Sequence, residues 1–362
     1  LITLSLMFTL SACKDDPPPP PSLPAAPASS NAHARADSKA RSRHGLDTSR
    51  RPVKVPRLKA DTMKRYRLQT CFFGAQGLRV ARDAYLSSLA GAEPSVKRIP
   101  KLGSYPEHAK LRARFKDSGR KAGGWGRGLP FVRHIRSCAI AKTLEKGKDA
   151  AVDKVISQFD SYASSLNKTL MEAHRYYVRK EYEKDEFRKG GLLHGRLTKS
   201  FKTLDAELAA LSHVVGPWAR RLGPVSEDLN EGGKLATQAV AVARNIGLGV
   251  LASSPDVAAV KVSLEAIEKV RDALKERQTS APTEPHPRVV MPRLEQFIEA
   301  ATKLSERLAS GTKLEPVEIY PTTSALASLI EANHRAHTHM LRRAAGAGPM
   351  RMLKPPIHRL AS

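Results

Sequence analysis

The chain has 362 residues, with 61 Lys and Arg against 35 Asp and Glu and a formal net charge of +26. That length is ample for a sizeable core, in one large domain or two closely associated ones. Beyond the first dozen residues nothing is apolar for long enough to cross a bilayer as a helix, which excludes a bundle of transmembrane helices in the given chain. The charge is uneven: +6 over 1–60, +3 over 61–91, +11 over 92–148, +3 over 149–346 and +3 over 347–362. Basicity therefore belongs to the N-terminal stretch and to one central segment.

Residues 1–13, LITLSLMFTLSAC, form an apolar run that ends in small residues and a cysteine. This is the hydrophobic part of a signal peptide, too short to span as a helix. Leu10-Ser-Ala-Cys13 resembles the lipobox of bacterial lipoproteins, and that resemblance implies that Cys13 is acylated and becomes the first mature residue. The chain departs from the pattern in that no initiator Met or basic n-region precedes Leu1, which a start lying upstream would explain. Residues 14–60 carry KDDPPPPPSLPAAPASS and then a basic Ala/Ser/Arg stretch. Too little apolar surface is available there to offset chain entropy, so a disordered tether is expected, polyproline-like over the prolines.

The body is expected to span 61–346, followed by a flexible basic tail over 347–362. Leu68, Cys71, Ala75, Leu78, Tyr85 and Leu89 step by three and four residues, which predicts one helix over 61–91, interrupted on its apolar seam by Arg82 and stopped by Gly91. Residues 92–148 lose this order and read as a basic, irregular insert with at most short helices. Val152, Val155, Phe159, Tyr162, Leu166, Thr169, Ala173 and Tyr176 predict a long helix over 149–189. Gly190-Gly191 then predicts a tight turn, and Leu193, Leu197, Phe201, Leu204, Leu208, Leu211, Val215 and Trp218 a second long helix packed antiparallel on the first. Four weaker helices follow: 226–252; one opening at SSPDV, with Ser254 as cap and Pro255 in the first turn; one presenting Leu294 to Leu308 after a Pro-rich link; and 323–345. No period-2 strand is evident, so the fold class is an all-α antiparallel bundle with long coiled-coil-like helices.

The join of the two long helices, YYVRKEYEKDEFRKGGLLH over 176–194, concentrates aromatic and charged residues. Tyr176, Tyr177, Tyr182, Asp185, Lys189, Gly190, Leu193 and His194 resemble the motif of the YiiG-like bacterial lipoprotein family: a Tyr pair, a Lys-acidic-Tyr step, a Lys/Asp-rich turn with Phe, then Lys-Gly and Leu-His. The chain departs from that motif at Glu183, Lys184, Gly191 and Leu192. The resemblance implies a helical, membrane-anchored protein of a family with no established activity. The residues themselves predict a helix-hairpin lock, in which Asp185 pairs with Lys189 on the surface, Gly190 supplies a positive φ, and His194 bonds a Tyr hydroxyl or a carboxylate across the turn. The catalytic alternative pairs His194 with Glu181 or Asp185 as acid and base.

Cys71 and Cys138 remain after lipidation of Cys13. In an exported protein a disulfide is the preferred reading, with two buried free thiols as the alternative. Glu331 and His334 have the E-x-x-H spacing of di-iron bundles, but one copy is too few. His337 reads as a polar residue on the inner seam and His339 as solvent-facing, and no metal or cofactor is implied. GAQGLR and GGWGRG follow no strand, so neither supports nucleotide binding, and no GxSxG or HExxH motif occurs. The insert places Arg112, Arg114, Lys116, Arg120, Lys121, Arg127, Arg133 and Arg136 among aromatics that include Trp125. Export argues against nucleic acid, which leaves an anionic lipid or lipopolysaccharide surface, another polyanion, or a solvated basic loop. The expectation is a lipid-anchored protein of the bacterial cell envelope, its body in the periplasm or at the cell surface. It acts as a non-enzymatic binding or scaffold module; the alternative is an envelope hydrolase or transferase using the His194 region.

Overall fold

The computed structural model describes residues 58–102, 132–144, 149–222, 229–252 and 254–346, all of them in one unit, Pro52–Ser362. The leader with Cys13, almost all of the tether, most of the insert and the tail lie outside the described residues. Those described form nine α-helices and no strand beyond an isolated bridge between Ser95 and Arg98.

The helix predicted over 61–91 is two, α1 (Ala60–Gly74) and α2 (Gly77–Leu89). The break falls where another helix presses on the backbone: a Cβ at Gly74 would lie 2.1 Å from the Cβ of His134. Leu78 and Arg79 donate to the carbonyls of Ala75 and Gln76, carrying the chain through a tight turn. The predicted stop is present, with Ala90 and Gly91 both at positive φ. Arg82, the cation on the seam, is held by Asp83 and by Asp205.

The pressing helix is α3 (Val132–Thr143), an ordered piece of the basic insert. The disulfide between Cys71 and Cys138 ties it to α1 with Cα atoms 5.0 Å apart. Next come α4 (Ala150–Val178), capped by the Asp149 side chain, and α5 (Arg188–Arg220). They run antiparallel, as shown by Tyr162 donating to the Ser200 carbonyl and Lys189 and Arg196 meeting Glu172. Every residue of the predicted α5 stripe from Leu193 to Val215 is buried, while Trp218 is half-buried.

The remaining helices are α6 (Glu231–Val250), α7 (Val257–Ser280), α8 (Pro285–Ala309) and α9 (Pro316–Ala344). Asp256 caps α7 by accepting from Ala259 N–H, so the predicted Ser254 cap and Pro255 start are each displaced by two residues. α8 starts inside the expected Pro-rich link. Pro285 and Pro287 fall in its first turn, where the missing N–H would have had no helical partner anyway. A capping box between Glu315 and Glu318 starts α9 seven residues before the predicted Thr323. α1 packs on α3, α5 and α9, α6 on α7, α8 and α9, and α9 on α1, α2, α6 and α8.

Candidate functional site

The aromatic stretch is a turn of a different kind from the one its sequence suggests. α4 ends at Val178, a single 3-10 turn covers Glu181–Glu183, and α5 already begins at Arg188. The reversal is made by Lys180, Glu186 and Phe187, all non-glycine residues at positive φ. Gly190 and Gly191 sit inside α5, so the predicted glycine turn is corrected. Gly190 is needed for space instead: a Cβ there would meet the Phe187 ring at 2.4 Å.

Asp185 organises this turn. Its carboxylate accepts from the Tyr176 hydroxyl at 2.8 Å and from the backbone N–H groups of Phe187 and Lys189 at 3.1 Å each. Removal from water opposes the charge on Asp185, but these donors and the nearby Arg188 outweigh it and hold the carboxyl below the usual range. The predicted Asp185–Lys189 side-chain pair is replaced by a Lys189–Glu172 pair at 3.2 Å. Tyr176, Tyr177, Tyr182 and Phe187 pack around one another with ring centroids 5.1 to 6.2 Å apart.

His194 does bond both a tyrosine and a carboxylate, but these belong to another part of the bundle. Its Nδ1 is 3.0 Å from the hydroxyl of Tyr85 on α2, and its Nε2 is 3.3 Å from Glu93. Tyr85 is fully buried, and burial raises its hydroxyl pKa well above the ordinary value. Tyr177 is buried beside it; burial pushes that hydroxyl up to about 12, with Tyr85 pulling the other way. The candidate acid/base partners are engaged elsewhere, Asp185 as described and Glu181 near Arg179. The chain from Tyr85 through His194 to Glu93 therefore ties α2 to the start of α5, with Tyr85 buried at one end and Glu93 exposed at the other.

A second cluster lies along α9. Glu331 accepts an ion pair from Arg133 of α3 at 2.9 Å and lies 3.9 Å from Arg67 of α1. Arg133 was predicted as part of an outward anionic-surface contact; it instead turns onto α9, where it also donates to Ser328. Arg136 is exposed, and Arg112, Arg114, Lys116, Arg120, Lys121, Trp125 and Arg127 lie outside the described residues. His334, the other half of the E-x-x-H spacing, stacks obliquely on Tyr66, with centroids 5.2 Å apart. His337 is buried near His286, and His339 is half-buried. Among the described residues no three His, Cys, Asp or Glu side chains gather as a metal site.

Burial lowers the pKa of His134, His286 and His334, and also that of His339, where Arg342, Arg343 and Arg335 add to it. His134 falls to about 3, with Arg133 adding to the effect. His286 falls to about 4, with His337 adding and Glu284 opposing. His334 also falls to about 4, with Arg67, His337 and Arg335 adding. All three are neutral near pH 7.

The chain matches no family model, no curated protein and no solved structure. Two features of the site have no local signal in sequence: Tyr85 as the partner of His194, 109 residues away, and the Arg67–Arg133–Glu331 group. Neither pairing follows from spacing along one helix, because each joins helices distant in the chain.

Proposed function

We propose that the protein is a lipid-anchored component of the bacterial cell envelope whose helical body binds or scaffolds rather than catalyses. The observation that carries this reading is the apolar run closing on Leu10-Ser-Ala-Cys13. The Cys71–Cys138 disulfide supports it, since structural disulfides persist in oxidising compartments outside the cytosol. The resemblance of 176–194 to the YiiG-like lipoproteins supports it as well. Among the described residues no helix is long and apolar enough to cross a membrane, so the anchor in this reading is the acyl group on Cys13.

The test is metabolic labelling with radioactive palmitate in a bacterial host, with the chain placed behind an initiator Met and a basic n-region. Label on the protein, recovery with membranes, and loss of both in Cys13→Ser would support the reading. An unlabelled protein in the soluble fraction would sink it. The enzymatic alternative would regain ground if a turnover were found that His194→Gln abolished while leaving the melting temperature unchanged.

A further inference from the structure

The large aliphatic side chains that the described residues leave in water are spread unevenly. Seven are exposed, and four of these, Leu86, Val96, Val178 and Leu192, lie at one end of the bundle. The contacts of the α4–α5 turn place them there. Val178 closes α4 beside Tyr177, whose ring lies 6.1 Å from that of Phe187 just before α5, and Leu192 follows in the second turn of α5. His194, two residues on, reaches Tyr85 of α2 at 3.0 Å and Glu93 at 3.3 Å. Leu86 is next to Tyr85 in the chain, and Val96 is three residues from Glu93. Val96, Val178 and Leu192 are each 60% to 66% exposed.

The same end is basic. Between 172 and 199 the chain carries eight Lys and Arg against five Asp and Glu, which accounts for the whole +3 of 149–346, and 86–102 adds three against one. All of these cations except Lys189 are exposed. Their ion pairs are loose: Arg179 and Arg196 lie 3.9 and 3.8 Å from Glu181 and Glu172, with side chains 65% and 62% exposed. Pairs of this kind hold weakly and leave the cations able to turn to another anion.

Single exposed aliphatics are ordinary on a protein surface, but four at one basic end form a pattern. Interfaces between proteins lean on exposed aromatic anchors, whereas Tyr176, Tyr177 and Tyr182 are buried inside this turn. Short aliphatic tips spaced among long cationic side chains suit the headgroup layer of an anionic bilayer. There the aliphatics meet the acyl boundary while the cations reach the phosphates.

We propose that this end of the bundle, formed by the α4–α5 turn, the end of α2 and the segment 93–97, is a docking surface for an anionic lipid bilayer. The proposal deepens the envelope reading, on which the nearby bilayer rests, and adds a contact made by the folded body and not by the acyl group. Reach permits it: 46 residues separate Cys13 from Ala60, about 150 Å at full extension, while α4 spans about 43 Å.

The test uses the full chain carrying Cys13→Ser, which cannot be acylated and whose other two cysteines are buried and bonded to each other. One cysteine is then added at a time, Val96→Cys, Val178→Cys or Leu192→Cys, and labelled with an environment-sensitive dye. Val262→Cys, on α7, which packs on α6 and α8, is the distant control. Phosphatidylglycerol vesicles should shift the emission of the three end positions to the blue and shield them from acrylamide, an effect that falls as salt rises. Phosphatidylcholine vesicles should not, and Val262→Cys should stay unshifted with both. The double variant Val178→Asp/Leu192→Asp alters two exposed side chains and should weaken the response read at Val96→Cys several-fold at unchanged melting temperature. No response at the end positions, an equal response at Val262→Cys, or the same response with both lipids would overturn the proposal. A shift that grows with protein concentration in the absence of vesicles would overturn it too, and assign the surface to a second copy. Palmitate labelling reads Cys13 alone, so the anchor and this surface can fail separately.

Discussion

The α4–α5 turn and the seam where α9 meets α1, α3 and α8 are both polar and both partly buried, but they are finished differently. At the turn, Asp185 receives three donors and His194 has a partner on each ring nitrogen. On the seam, Arg67 Nε, His134 Nδ1, His334 Nε2 and both nitrogens of His286 are buried without hydrogen-bond partners. Buried polar atoms left unpaired cost free energy, and the seam keeps more of them than the turn, where the Tyr177 hydroxyl is such an atom. The turn behaves as a lock, while the seam holds its buried histidines in the neutral form.

Acid should separate the two regions most widely. His134, His286 and His334 have folded pKa values near 3, 4 and 4 against 6.5 for the ordinary side chain. The unfolded chain therefore takes up more protons than the folded one as pH falls below that value. Their contribution to stability is whole above 6.5 and is lost as pH falls toward 4 and below. Asp185 follows the same sign from a lower start, its folded pKa lying below 3.8, so the turn keeps its carboxylate while the seam is being protonated. Hydrogen exchange followed from pH 7 to 4 should show α8 and α9 opening before the start of α5. Simultaneous opening would erase the distinction.

Substitutions sharpen the same contrast. Gly74→Ala should be the most damaging single change, by about 3 kcal/mol, because the added methyl meets the His134 Cβ on a helix clamped by a disulfide. Denaturant unfolding measures it, and a neutral result would mean that α3 can withdraw. His194→Ala should cost about 1–2 kcal/mol through loss of the Tyr85 and Glu93 contacts, leaving the seam's exchange rates unchanged. Smallest and opposite in sign, Glu186→Gly should stabilise by about 0.5 kcal/mol, since Glu186 holds a φ of 52° that glycine adopts freely.

The sequence made the long helices legible because their apolar faces repeat over many turns. Leu193 to Val215 on α5 is the clearest case, and Phe159, Leu166 and Ala173 on α4 follow it. Boundaries were harder where residue chemistry ran against habit. A glycine pair suggests a turn, yet here the reversal uses Lys180, Glu186 and Phe187, with Asp185 and the aromatic cluster supplying the compensation. Proline-rich segments suggest links, yet Pro285, Pro287 and Pro316 open helices. The Arg67–Arg133–Glu331 group escaped notice for a different reason: its members lie on three helices, and sequence periodicity reports one helix at a time.

The Cys71–Cys138 bond joins residues 67 positions apart, and the chain between them includes most of the basic insert. A protease that cut that stretch once would leave two fragments still covalently joined. On a denaturing gel without reductant the nicked protein would keep the mass of one chain, and reductant alone would release the pieces. Processing of the insert, should it occur, would change which charges the protein displays without releasing α1 from the rest of the body.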